Sequence, residues 1–295
     1  MSQRPTGRSL GERLFVLLQY VVPQHAISRI VYRATRSRQL WLKNRLIRWF
    51  LGAYAVQMSE ALEPDPYRYA TFNEFFTRAL RPSVRTICDE PDAVISPVDG
   101  IVSAAGYIDA GTLIQAKGRT YELEALLAGA ASWAPRFRSG SFATLYLAPF
   151  NYHRVHVPTD ATLIETWYVP GRLFSVNATT AAAVPGLFAR NERIICLFET
   201  AAGPMAEILV GALNVGSMST VWHGEITPQA RRVISRLATA TTGADLKRGA
   251  EMGRFNMGST VILLFGAGNV IWAESLVPQQ VVRLGERIGH RSGPG

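Results

Sequence analysis

A change of texture near residue 90 decides what this chain can become. Before it, apolar residues recur at helical spacing among basic ones. Leu42, Leu46, Trp49, Phe50 and Ala53 fall at i, i+4, i+7, i+8 and i+11, one face of an amphipathic helix. After it, short runs rich in β-branched and aromatic residues alternate with glycine or proline turns, as in residues 93–96, 101–104, 142–147, 193–199, 208–215 and 261–265. That rhythm predicts strands. Thr71-Phe72-Asn73-Glu74 has the form of a capped helix start, and Pro64, Pro66 and Pro82 punctuate the boundary. Few helices are expected later, residues 123–130 among them. The fold class is α+β: N-terminal amphipathic helices over residues 1–80, then a β-rich domain over 81–295.

Charge follows the same division. The first 50 residues carry ten Lys or Arg against Glu12 alone, so they hold the whole net charge of +9; the remainder is balanced. A basic end suits nucleic acid or an anionic membrane surface. Here the cations Lys43, Arg45 and Arg48 lie among Leu, Trp and Phe, the composition of a helix lying in a membrane interface, and nucleic acid is not expected as a partner. A helix packed on its own domain would show the same stripe. No run reaches the about 18–20 apolar residues of a membrane span. The run 14–22 is short, Gln19 interrupts it, and no small-residue cleavage site follows. Cys88 and Cys196 stand far apart, in keeping with a reducing compartment. The expectation is a peripheral protein on the cytoplasmic side of the cell membrane.

Three stretches carry chemistry. Ser96-Pro97-Val98-Asp99-Gly100 contains a hairpin-type Asp-Gly, explicable as a turn alone. Tyr152-His153-Arg154-Val155-His156 contains two of the five histidines. No third His or Cys lies near them, so no metal is expected; an imidazole there is a candidate general base. Met257-Gly258-Ser259-Thr260 precedes a buried-strand pattern and is bland by itself. It is not the Gly-x-Ser-x-Gly elbow of hydrolases, because Asn256 precedes Met257. A serine, a histidine and an aspartate nevertheless match the parts needed to activate a nucleophile.

Taken jointly, these stretches resemble the phosphatidylserine decarboxylase family, and further likeness lies in residues 71–78, 171–177, 191–198, 203–205 and 249–255. The family's usual Leu-Gly-Ser-Thr stands here as Met257-Gly258-Ser259-Thr260, a change that keeps bulk and apolarity. The resemblance implies that Asp99 orients the histidine, His156 acts as base and Ser259 is the nucleophile. Ser259 would attack the Gly258 carbonyl, where the absence of a Cβ allows a tight approach. The chain would then part between Gly258 and Ser259 into residues 1–258 and 259–295, and Ser259 would become a pyruvoyl cofactor. That group would support decarboxylation of phosphatidylserine to phosphatidylethanolamine without a metal. His153 is a possible substrate contact or proton donor, and Phe174, Ser175 and Asn177 are expected to line the site. The two chains would stay together, and a homodimer of such heterodimers is implied. A membrane-associated serine hydrolase acting on lipids through the same three residues is the first alternative; a decarboxylase of another serine-containing head group is the second; a scaffold in which the motifs are only turns is the third.

Overall fold

The computed structural model describes residues 10–116, 119–213, 217–227, 233–237, 243–258 and 260–292. Helices α1 (Leu10–Val21), α2 (Gln24–Thr35) and α3 (Leu40–Ala53) come first. Pro23 stands between α1 and α2, whose axes bend by 87°, as expected where a ring replaces a backbone donor. Among the described residues no single helix is long and apolar enough to cross a membrane, and only this bent pair has the combined length and composition.

The amide that breaks the apolar run is a docking group. Gln19 donates to Thr180 Oγ1 (3.2 Å) and accepts from Ser175 N (2.7 Å), and Gln24 accepts from Leu173 N (2.9 Å). These buried amides tie α1 and α2 to the β domain while Leu14, Leu17, Leu18, Val21 and Ile30 point outward. Helix α3 departs from its sequence stripe. Its buried face is Lys43, Ile47 and Phe50, whereas Trp49 and Ala53 are exposed. Lys43 turns inward because Nζ finds the carbonyls of Tyr67 (2.5 Å) and Tyr69 (2.9 Å); a buried ammonium is tolerated when its donors are met.

Helix α4 (Phe72–Phe76) begins as expected. Thr71 Oγ1 accepts from Glu74 N, and the Glu74 carboxylate reaches back to Ala70 N, both at 3.1 Å. Phe50 meets Phe72, Phe75 and Phe76 edge-on at centroid distances of 5.5, 5.9 and 5.7 Å, so α3 and α4 share a small aromatic core. Each fully buried Phe contributes on the order of 1.5–3 kcal/mol. Met257 packs on both this cluster and the main core.

All the sheets are antiparallel. The largest runs in the order β12 (Ser235–Arg236), β7 (Ala161–Val169), β8 (Arg193–Thr200), β9 (Gly203–Val210), β15 (Thr260–Phe265), β5 (Ser141–Tyr146), β2 (Gly100–Tyr107) and β17 (Val281–Val282), with β13 (Asp245–Leu246) also on β7. A second sheet runs β11 (Gly224–Ile226), β10 (Met218–Thr220), β14 (Glu251–Phe255) and β6 (Arg154–His156). A third runs β1 (Ala93–Ile95), β18 (Arg287–Arg291) and β16 (Val270–Trp272), and β3 (Thr112–Ala116) pairs with β4 (Arg119–Glu122). Short helices α5 (Leu123–Leu127), α6 (Ala134–Phe137), α7 (Ala178–Ala183) and α8 (Leu187–Arg190) interrupt the β region.

The strand expected over 208–215 instead spans β9 and turns back into β8 through Ala201 and Ala202. Gly203 takes φ +92° and Pro204 sits beside it, opposite Glu199 at the hairpin end. Both look like loop residues in sequence, yet the strand's first positions tolerate them. Strand β15 pairs with β9 on one side and β5 on the other through all six residues, every one buried.

Candidate active site

Strands β14 and β15 are joined by Asn256, Met257, Gly258 and Ser259. Ser259 lies outside the described residues; its neighbours fix its place in the chain. Thr260 already holds its ladder positions opposite Tyr146 and Val210. On the other side, Asn256 is clamped. Its Nδ2 lies 2.7 Å from Ser217 Oγ and 3.2 Å from Ser219 Oγ, and its carbonyl accepts from Asn73 Nδ2 at 2.8 Å. Ser217 and Arg36 also bond Glu225, linking this loop to the end of α2.

Gly258 packs against His153. A Cβ placed on Gly258 would lie 3.2 Å from His153 Cε1 and 3.4 Å from the Leu147 carbonyl oxygen. Gly258 is not among the glycines with positive φ. What Gly258 supplies is room against an imidazole and a carbonyl.

His153 is fully buried, stacked on Phe76 at 4.2 Å between ring centroids with 19° between planes. Its Nε2 lies 3.2 Å from the Pro149 carbonyl, and Nδ1 has no partner. A carbonyl accepts only, so Nε2 carries the proton and Nδ1 keeps a free lone pair. Burial pushes the pKa down to about 3, because an apolar pocket disfavours the imidazolium. The ring is therefore neutral at any physiological pH.

His156 is held at both nitrogens. Nδ1 donates to the Gly249 carbonyl (2.8 Å), and the Tyr152 hydroxyl donates to Nε2 (3.0 Å). Burial lowers its pKa, with the Gly249 hydrogen bond opposing. Tyr152, also buried, has its own pKa pushed up by desolvation.

The expected contact of Asp99 with the histidine is not formed among the described residues. Arg85 takes the carboxylate in a fork, Nε to Oδ1 at 2.9 Å and Nη2 to Oδ2 at 2.5 Å, and Leu284 N adds a third bond at 2.9 Å. Arg85 Nη2 also holds Glu60 Oε2 at 2.7 Å. A planar guanidinium matches two carboxylate oxygens better than an imidazole does, and it wins the carboxylate. Asp99 reaches His156 only through its field, which favours the imidazolium.

Arg85 and Glu60 escaped the sequence reading because an arginine among prolines and serines carries no periodic signal. Tyr152 was within reach, four residues before His156 in the same motif. Of the residues expected to line the site, Ser175 does so. Phe174 is buried against Tyr20, and Asn177 caps α7 by accepting from Thr180 N.

A cavity of about 200 Å³ opens over Gly258, lined by Trp49, Phe50, Tyr54, Phe76 and Met257 among others. Its aromatic wall comes from α3 and α4. Trp49, at its rim, is 62% exposed, so the way in passes the outer surface of α3. The described residues contain no group of His, Cys, Asp and Glu placed to hold a metal ion.

Comparison with known proteins gives consistent matches. Residues 72–290 match the family model described as phosphatidylserine decarboxylase, and residues 14–55 match one described as PSD. Among curated proteins, the phosphatidylserine decarboxylase proenzyme of Methylococcus capsulatus is 51% identical over 95% of this chain and 98% of its own. That of Marinobacter nauticus is 50% identical over 94% and 98%, and that of Acidovorax ebreus 50% over 96% and 100%.

Proposed function

Because the chain belongs to the phosphatidylserine decarboxylase family, we propose that it removes carbon dioxide from phosphatidylserine to give phosphatidylethanolamine, after cutting itself between Gly258 and Ser259. The observation that carries this reading is the pairing of Gly258 with a neutral, buried imidazole whose Nδ1 lone pair is unspent. A neutral imidazole against Gly258, presenting Cε1 and Nε2 to it, is a candidate proton carrier for the one bond the mechanism must break.

The Ser259 hydroxyl attacks the Gly258 carbonyl carbon and gives up its proton to His156, with Tyr152 as the relay on Nε2. The Gly258–Ser259 amide nitrogen takes that proton, and an ester replaces the amide. His153 Nδ1 then accepts the Ser259 α-proton, and the Gly258 carboxylate leaves. Hydrolysis of the resulting dehydroalanine releases ammonia and leaves a pyruvoyl group at the start of residues 259–295. Arg85 fixes the Asp99 carboxylate in place, and the field of Asp99 supports positive charge on His156. A clamped Asn256 on one side and a locked Thr260 on the other hold the bond still while this happens, the kind of positioning that lowers a barrier without new chemistry.

When formed, the pyruvoyl group supplies an electrophilic ketone that takes up the electrons released with carbon dioxide. The residues present fit such a group. The space beside Gly258 is bounded by the His153 ring and the Leu147 carbonyl, and His153 Nδ1 is not spent on any hydrogen bond. The cavity has an aromatic wall and opens at a rim on α3, which suits a substrate whose tails stay in a bilayer. We assign the protein to the membrane surface on the cytoplasmic side, held by the outward apolar residues of α1–α3 and by cations that contribute on the order of 1 kcal/mol each near anionic lipid. The lipid-hydrolase alternative is disfavoured by the Asp99 carboxylate, which is committed to Arg85.

The test is to trap the carbonyl with a hydrazide and assay carbon dioxide release from phosphatidylserine. A trapped N-terminal carbonyl on the fragment starting at 259, with turnover, is expected. Turnover by a single uncut chain bearing an ordinary Ser259 overturns the reading.

A further inference from the structure

Three arginines converge on a cavity that the chemistry above does not use. Arg78 follows α4 and is 4% exposed. Its Nη2 donates to the Phe150 carbonyl at 3.1 Å, while Nε and Nη1 have no acceptor. Burial pulls its pKa down, with the fields of Tyr69, Asp99 and Glu60 opposing, yet a guanidinium remains charged in a protein, so two ionic donors are left without a hydrogen-bond acceptor. Such a group calls for a partner.

The second and third arginines stand on the neighbouring sheet. Arg154 on β6 and Arg254 on β14 are directly opposed in the ladder, and like charges so placed repel. Arg154 is partly answered, Nε on the Thr77 carbonyl at 3.0 Å and Nη1 on Glu251 at 2.8 Å. The Arg254 guanidinium has no partner among the described residues. All three line one cavity of about 250 Å³ with Tyr69, Glu63 and Glu74. The two carboxylates there are engaged elsewhere: Glu63 with Asp65 N and Arg68, Glu74 with Ala70 N. Positive charge is in surplus.

We propose that this cavity binds a phosphate-type oxyanion. Guanidinium forks match the oxygens of a phosphate in pairs, and an anion between Arg154 and Arg254 turns their repulsion into attraction. The volume exceeds a free phosphate and admits a phosphodiester head group without its acyl chains. Free phosphate and an anionic lipid head group therefore share the chemistry recognised.

Binding is measured on the uncut Ser259→Ala chain, so the result does not depend on self-cleavage or decarboxylation. Inorganic phosphate and glycerophosphoserine are titrated by calorimetry and thermal shift. Saturating phosphate is expected to raise Tm by about 2 °C or more. Adding Arg254→Gln is expected to weaken binding at least tenfold without lowering the ligand-free Tm, because the substitution also removes a like-charge pair. Arg78→Lys is expected to weaken it as well; if that protein fails to fold, Arg254→Gln decides alone. Tighter binding of glycerophosphoserine than of phosphate assigns the site to a lipid head group, and equal binding assigns it to free phosphate. No shift with either probe, or an Arg254→Gln chain that binds as the parent does, overturns the proposal.

Discussion

Substituting Gly258→Ala adds one methyl group at the bond proposed to break. That methyl would sit 3.2 Å from His153 Cε1 and 3.4 Å from the Leu147 oxygen. Neither neighbour can withdraw easily. The imidazole is pinned between Phe76 and the Pro149 carbonyl, and Leu147 follows directly on β5, which pairs with β15. The strain therefore falls on the loop. Overpacking of this kind costs about 1–3 kcal/mol. If the whole of it is felt in reaching the transition state, cleavage slows roughly 5- to 150-fold. Because Gly258 is not at positive φ, the substitution adds no backbone penalty, and whatever part of the crowding is not felt in the transition state lowers the Tm of the folded precursor instead, by a few degrees. Cell-free synthesis followed by denaturing gels reads the rate directly, as loss of the full-length band and growth of the fragment ending at 258. Cleavage of Gly258→Ala at the parental rate would show that His153 does not crowd the reacting bond, and the geometric argument would fail.

Two further substitutions probe buried charge. Arg85→Gln leaves Asp99 and Glu60 without their cation and is expected to cost about 3–5 kcal/mol in stability and to slow cleavage, measured by denaturant unfolding and by the gel assay; parental values for both would remove Arg85 from the account. Glu207, fully buried in mid-sheet with both carboxyl oxygens unpartnered, has its pKa raised by desolvation, and Glu192 is pushed up to about 7 for the same reason. A carboxyl raised in the fold stabilises while it stays protonated, so this contribution is present at low pH and is lost as pH rises through the folded value. Glu207→Gln is accordingly expected to raise Tm more at pH 8 than at pH 5, and an equal shift at both would refute it. His153 has the opposite sense. Its folded pKa lies below the free value, so stability is full above about 6.5 and falls as pH drops toward 3, visible as a declining Tm that a neutral aromatic at 153 would flatten.

The parts of this fold legible in sequence are those governed by local rules. The Thr71 cap, the Asp-Gly at the start of β2 and the six apolar residues of β15 each announce themselves within a short window. Lys43 does not, since its inward turn depends on carbonyls more than twenty residues away. Nor does Arg85, whose hold on Asp99 is decided by competition in space between a guanidinium and an imidazole. The two histidines were readable as a pair. Which of them touches Gly258 was not, because alternation along a strand gives opposite sides without naming the neighbours on each.

Strand β15 begins one residue after the bond proposed to be cut, and it lies between β9 and β5 in the middle of the largest sheet. Thr-Val-Ile-Leu-Leu-Phe is a hexapeptide with high β-propensity, no charge and no proline, the profile of a segment that stacks with its own copies when left bare. Made as a separate gene product, the small chain would meet the cell with that segment uncovered. Carried in on a continuous polypeptide, it would be enclosed before the proposed cut freed it, and only a molecule that had finished folding would acquire the reactive end.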